Sequence, residues 1–171
     1  MSVFLVGYMG SGKSIVGKNL ARKLKFEYLD LDNYIEEQLG LTISDIFKTK
    51  GELFFRTQEQ LFLKEVLGLQ RTVVSLGGGT PCYGDNMKKL IESINVVIYL
   101  KASVDTLTGR LASEISTRPL INHLNNESGL NDFIRKHLFE RNYYYQQAHH
   151  KIVVDGKSVE QIALDIIEIL N

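Results

Sequence analysis

Eight residues near the start, Gly7-Tyr8-Met9-Gly10-Ser11-Gly12-Lys13-Ser14, match GxxxxGK followed by Ser, directly after an apolar run and before a helical pattern. Such glycines let the chain curl until successive backbone N–H groups point inward at phosphate oxygens, and the helix behind adds its positive N-terminal end. In that arrangement Lys13 bridges the outer phosphates and Ser14 places its hydroxyl on Mg²⁺. The expected nucleotide-binding residues here are Gly10, Ser11, Gly12, Lys13, Ser14 and Ile15. The chain contains no base-reading NKxD element, so ATP is the expected nucleotide.

A second group of candidates is Tyr28-Leu29-Asp30-Leu31-Asp32. Two acids two apart at a strand end project to one side, with leucines on the other. In a parallel sheet all carboxyl ends share one edge, so both acids can face a nucleotide held there. Phosphoryl transfer requires oxygen ligands around Mg²⁺ and a carboxylate that orients or deprotonates the acceptor hydroxyl, and two acids can divide those jobs. The competing reading makes Asp32 a helix cap and leaves Asp30 solvated. No Asp ends Val73 to Leu76 or Val96 to Leu100, which leaves Asp30 as the Mg²⁺ partner, through water.

Two further features lie downstream. Arg56 and Glu59, three apart on a predicted helix, share a face, so Glu59 can fix a guanidinium whose planar fork binds a carboxylate bidentately. Gly77, Gly78 and Gly79 follow a predicted strand, where they let a ligand approach backbone that any Cβ would obstruct.

These residues need a scaffold. Apolar, β-branched runs at Val3 to Val6, Tyr28 to Leu31, Thr72 to Leu76, Val96 to Leu100 and Lys151 to Val154 read as strands. Helical patterns start near Lys13, Asp32, Glu52, Gly84, Ser103, Leu130 and Ser158, several behind an Asp or Ser that can cap them. The alternation predicts an α/β three-layer α/β/α fold with a five-stranded parallel sheet. A single domain over 1–171 is expected, with its core at 1–32, 71–111 and 130–171. Residues 33–70 are too many for one crossover helix and read as a helical insertion beside the sheet. Residues 112–129, polar and weakly periodic, read as a lid carrying Arg118, whose closure would exclude water and bring a cation to the phosphates.

Composition narrows the function classes. Lys plus Arg number 20 and Asp plus Glu 20 in 171 residues, a net charge of zero that argues against a nucleic-acid or membrane-surface protein. Cys82 is the only cysteine, so neither an intramolecular disulfide nor a cysteine zinc site can form. The absence of a leader pattern and of a ~20-residue apolar span reads as cytoplasmic. His123, His137, His149 and His150 lack ligand spacing. Cys82 is read as a site for a chemical label and not as a nucleophile.

Taken in order, the GSGKS loop, the DxD pair, Gly51-Glu52-Leu53-Phe54-Phe55-Arg56-Thr57-Gln58-Glu59, the triple glycine, Arg118-Pro119-Leu120 and Arg141 followed by tyrosines resemble shikimate kinase over nearly the whole chain. The resemblance implies a P-loop kinase that transfers the ATP γ-phosphoryl group to the 3-hydroxyl of shikimate, with Mg²⁺, in aromatic amino-acid biosynthesis. It also implies roles. Lys13, Asp32 and Arg118 are catalytic, with Asp32 on the acceptor hydroxyls and Arg118 at the transferring phosphoryl. Arg56 and Arg141 hold the shikimate carboxylate, Gly77, Gly78 and Gly79 contact the substrate, Arg110 lies by the adenine, and Ser14 and Asp30 serve the metal. ATP and shikimate are the expected partners of a monomer. Two departures are visible: Tyr143 stands where many relatives have proline, and Asp155-Gly156-Lys157-Ser158 lacks the arginine that some members place beside adenine. The other readings weighed are a gluconate-kinase-like small-metabolite kinase, which would lack the Arg56 motif, and a non-catalytic nucleotide-binding regulator.

Overall fold

A computed structural model describes residues 1–114, 121–124 and 127–171. Its five strands, β1 (Val3–Val6), β2 (Glu27–Asp30), β3 (Thr72–Ser75), β4 (Val96–Lys101) and β5 (His150–Val153), form one sheet in the order β2-β3-β1-β4-β5. Every pairing is parallel, with Val3 opposite both Val73 and Val96. All residues of β1 and β3 are buried, which explains why these central strands read as unbroken apolar or small-residue runs.

Helices cover the sheet as α1 (Lys13–Leu24), α2 (Leu31–Leu39), α3 (Ile43–Lys50), α4 (Glu52–Leu67), α5 (Asn86–Glu92), α6 (Val104–Leu111), α7 (Glu127–Tyr145) and α8 (Val159–Leu170). The three-layer α/β expectation holds. Strand order places β3 and β4 on opposite sides of β1, so a crevice opens beyond the carboxyl end of β1, where the phosphate-binding loop leads into α1. Gly12 caps α1 with φ of 96°, a left-handed conformation that suits glycine. Ser103 and Ser158 cap α6 and α8 through side-chain hydrogen bonds, and Gln161 completes a capping box with Ser158.

Several boundaries differ from the sequence reading. The second strand ends at Asp30, one residue early, because the Asp30 side chain caps α2 and turns the chain. A helix at Ile43–Lys50 was not expected. It is only eight residues long and buries Ile46 alone, too little to generate a periodic signal. The helix expected near Gly84 starts at Asn86, after a 3₁₀ turn at Thr80–Cys82, and α7 starts at Glu127, ahead of Leu130. The insertion is helical throughout its main length, as α2, α3 and α4. Part of the expected lid, residues 115–120 and 125–126 with Arg118, lies outside the described residues. Among the described residues no helix is long and apolar enough to cross a membrane.

One close contact ties α1 to the sheet beneath the site. A Cβ added at Gly17 would stand 2.6 Å from the Tyr28 ring and 2.8 Å from Ser75 Oγ. Gly17→Ala is therefore expected to cost about 1–3 kcal/mol through overpacking. Urea unfolding measures this, and an unchanged midpoint would refute the tight contact.

Candidate active site

The loop after β1 is closed by its own lysine. Lys13 Nζ donates to the Gly7 and Tyr8 carbonyls at 2.8 and 2.9 Å, while Arg110, reaching from α6, donates to the Gly10 carbonyl at 3.0 Å. Ser75, at the end of β3, donates its hydroxyl to the Lys13 carbonyl at 3.0 Å. The first turn of α1 is thus tied to the neighbouring strand at the point where many phosphate-loop proteins carry an acid.

Ser14 and Asp30 meet directly, with the Ser14 hydroxyl donating to Asp30 Oδ2 at 3.1 Å. Tyr28 donates to the same oxygen at 3.4 Å. The other oxygen, Oδ1, accepts from the backbone N–H of Asp32 at 3.1 Å. The two acids are therefore not both strand residues. Asp30 ends β2 and caps α2, whereas Asp32 occupies the first turn of α2. Asp32 is not the cap of this helix; Asp30 is, through its side chain. Both carboxylates nevertheless line one cleft of about 640 Å³ together with Lys13, Ser14, Gly77 and Gly78.

Asp32 is the electrostatically unusual member. Burial, then the neighbouring charges of Asp30 and Glu59, push its carboxyl up to about 7, and Lys13 opposes the shift. A carboxylic group with that value gains and loses its proton near neutrality, which suits a group that accepts a hydrogen bond from a reacting hydroxyl.

The insertion contributes a clasped cation. Arg56 donates to Glu59 Oε2 at 2.9 Å, and Glu59, 1% exposed, accepts from Thr80 at 2.7 Å through its other oxygen. The guanidinium stands 5.2 Å from the Phe55 ring centre and 5.3 Å from that of Tyr83. Glu59 thus joins α4 to the turn after β3 and fixes the plane of Arg56.

The three glycines bring these parts together. A Cβ on Gly77 would stand 2.8 Å from Asp32 Oδ1, one on Gly78 would stand 3.3 Å from Arg141 Nη1, and one on Gly79 would stand 2.9 Å from Arg56 Nη2. Three charged side chains from α2, α7 and α4 approach one turn because it has no side chains of its own.

A family model described as shikimate kinase matches residues 9–171. The chain belongs to the shikimate kinase family. It is 43% identical to a shikimate kinase of Flavobacterium johnsoniae and 44% identical to one of Flavobacterium psychrophilum, each over 98% of both chains. Its fold is similar to the crystal structure of shikimate kinase from Bacteroides thetaiotaomicron, with a TM-score of 0.91 and 35% identity over 99% of this chain and 98% of that one. It is also similar to the Acinetobacter baumannii shikimate kinase in complex with shikimate, with a TM-score of 0.85 and 33% identity over 99% of this chain and 92% of that one.

Set against the shikimate kinase expectations, the structure brings Gly10, Ser11, Gly12, Lys13, Ser14, Ile15, Asp30, Asp32, Gly77, Gly78 and Arg110 to one cleft. Arg56, Arg141 and Gly79 gather at the adjoining glycine turn. Arg118 lies outside the described residues. Sequence reasoning missed Glu114, Val159 and Ile162 on the cleft wall. Lys157 also lines the cleft, with its ammonium 2.7 Å from Asp165. Tyr145 is buried and donates to the Gly78 carbonyl at 2.6 Å, whereas Tyr143 is exposed. Cys82 agrees with its non-nucleophilic reading: burial pushes its thiol up to about 11, against the pull of Arg141 and Arg56.

Asp32 also links the site to stability. Between its ordinary carboxyl value and about 7 the folded state holds a proton that the unfolded chain has released, so stability falls as pH rises through that window. Asp32→Asn is expected to stabilise the protein at pH 8 by an amount on the order of 2 kcal/mol and to make no difference near pH 4. Urea unfolding at both pH values measures it, and an identical difference at the two would exclude the raised carboxyl.

Proposed function

We infer that this chain transfers the γ-phosphoryl group of ATP to the 3-hydroxyl of shikimate, releasing shikimate 3-phosphate and ADP. The observation that carries the reading is the meeting of Asp32, Arg141 and Arg56 on three successive glycines beside the Lys13 loop. A cyclic hydroxy acid needs a fixed guanidinium for its carboxylate and a carboxylate for its reacting hydroxyl. Those groups stand next to a phosphate cradle here. Similarity to shikimate kinases over nearly the full length favours this acceptor over gluconate and over a non-catalytic regulator.

The geometry supports a division of roles among these residues. Lys13 would exchange its loop carbonyls for the outer phosphates and balance the charge that spreads over the transferring group. Asp32, once ionised, accepts the hydrogen bond of the acceptor hydroxyl and aims its lone pair in line. Arg56, held by Glu59, and Arg141, above Gly78, clamp the acceptor carboxylate. Arg118 is assigned to the transferring phosphoryl on the resemblance alone, and Arg110 to the base side of the loop. Residues 33–70 form the acceptor-binding insertion of a single kinase domain.

Magnesium fits the donor set. Ser14 and Asp30 present hard oxygens at hydrogen-bond distance from each other, and such sites leave the remaining positions to phosphate and water. Ser14 would hold the ion directly and Asp30 through water. When bound it neutralises phosphate charge.

In a coupled ADP-release assay, turnover should require shikimate. Equal ADP release with gluconate or with no acceptor would overturn the assignment, and Lys13→Ala should abolish the rate. Arg56→Lys keeps the charge and loses the fork. It should weaken acceptor binding by ~1.5–3 kcal/mol while sparing ATP, and equal weakening of both would mean Arg56 holds something else.

A further inference from the structure

Phe133, His137, Arg141 and Tyr145 stand four apart on α7 and so form one row along a helix face. Each member touches something that matters to the site. Tyr145 donates to the Gly78 carbonyl, and Arg141 lies beside Gly78 with its guanidinium 5.8 Å from the centre of the Tyr8 ring. His137 shares a 3.0 Å hydrogen bond between Nδ1 and the Tyr8 hydroxyl, with the two rings edge to face at 5.6 Å. Phe133 packs edge-on against His137 and against His123. Tyr8 belongs to the phosphate-binding loop, and it is 1% exposed.

We propose that Tyr8 and His137 are positioning residues for Arg141: their hydrogen bond locks the register of α7 against the phosphate-binding loop and so aims the Arg141 guanidinium at the glycine turn. This rests on the reading of Arg141 as an acceptor-carboxylate ligand. The two arginines are held differently. Glu59 clasps Arg56, whereas among the described residues no carboxylate forms an ion pair with Arg141. Its orientation is left to the helix that carries it, to the neighbouring Tyr145 hydroxyl and to the aromatic face of Tyr8 beneath it.

The chemistry of the pair suits a fixed tie. Burial and then the Arg141 charge hold His137 down at about 4, so the imidazole stays neutral and adds no second cation beside Arg141. Burial likewise pushes Tyr8 up to about 12, so its hydroxyl keeps its proton. A neutral, part-buried hydrogen bond does not switch across the working pH range. It fixes one rotation of α7, and Arg141, one turn further along, inherits that rotation.

The test is a set of steady-state measurements on His137→Leu, His137→Asn, Tyr8→Phe, the double variant Tyr8→Phe/His137→Leu, and Arg141→Ala. Loss of one hydrogen bond should raise KM for shikimate roughly 3- to 10-fold in His137→Leu and in Tyr8→Phe, with kcat and KM for ATP within twofold in His137→Leu, which leaves the phosphate-binding loop itself intact. The double variant should match either single variant, since both break the same bond. His137→Asn, which restores a hydrogen-bonding atom near the Nδ1 position, should recover most of the acceptor affinity.

Shikimate KM unchanged in both single variants, equal rises in the shikimate and ATP constants of His137→Leu, additive effects in the double variant, or no recovery with Asn would each overturn the proposal. Arg141→Ala separates the two levels. If it leaves shikimate KM unchanged, the carboxylate reading itself fails. If it raises that KM strongly while His137→Leu does not, only the positioning role fails.

Discussion

The site depends on one steric condition: three charged side chains crowd the same short turn, and Cβ atoms on that turn would push their tips aside. Asp32, Arg141 and Arg56 come from three different helices, and their charged tips lie 2.8, 3.3 and 2.9 Å from where a Cβ on Gly77, Gly78 or Gly79 would be. The bare turn is what lets all three approach its backbone. Glu59 adds to this by bonding Arg56 on one oxygen and Thr80, just past the turn, on the other. A carboxylate buried this deeply is tolerated because both of its oxygens are used.

The two acids illustrate how a single turn of chain separates two environments. Asp30, at the strand end, is wrapped by the Asp32 N–H, Ser14 and Tyr28. Asp32, one step into the helix, faces inward, and its neighbours are mostly acids, so its proton is held into the neutral range. Two carboxyl groups in such different surroundings can take different tasks, one on a cation and one on a hydroxyl.

Much of this was legible in the sequence because it is local. A phosphate loop is written in consecutive residues, Arg56 and Glu59 are three apart on one helix, and the triple glycine is contiguous. The parallel sheet was legible for the same reason, since its central strands are unbroken apolar or small-residue runs. What could not be read is non-local or weakly patterned. The Tyr8 contact with His137 spans 129 positions, and neither residue type announces the other. Val159 and Ile162 reach the cleft as ordinary core-facing residues of α8. The second acid was put on a strand because a spacing of two is a strand spacing, and nothing in the sequence says that Asp30 would turn its own chain by capping the next helix. Helix α3 was missed because one buried residue in eight carries no period.

The insertion leaves the sheet at the end of the edge strand β2 and returns at β3, its hydrogen-bonded neighbour. Both attachment points thus lie on the far side of β1 from β4 and β5. A module mounted this way can be lengthened, shortened or exchanged without rethreading the nucleotide half, since no central strand has to move. Selection could retune which alcohol is phosphorylated by remodelling α2 to α4 while the donor machinery stayed as it is, and an engineer could graft a different acceptor pocket at the same two junctions.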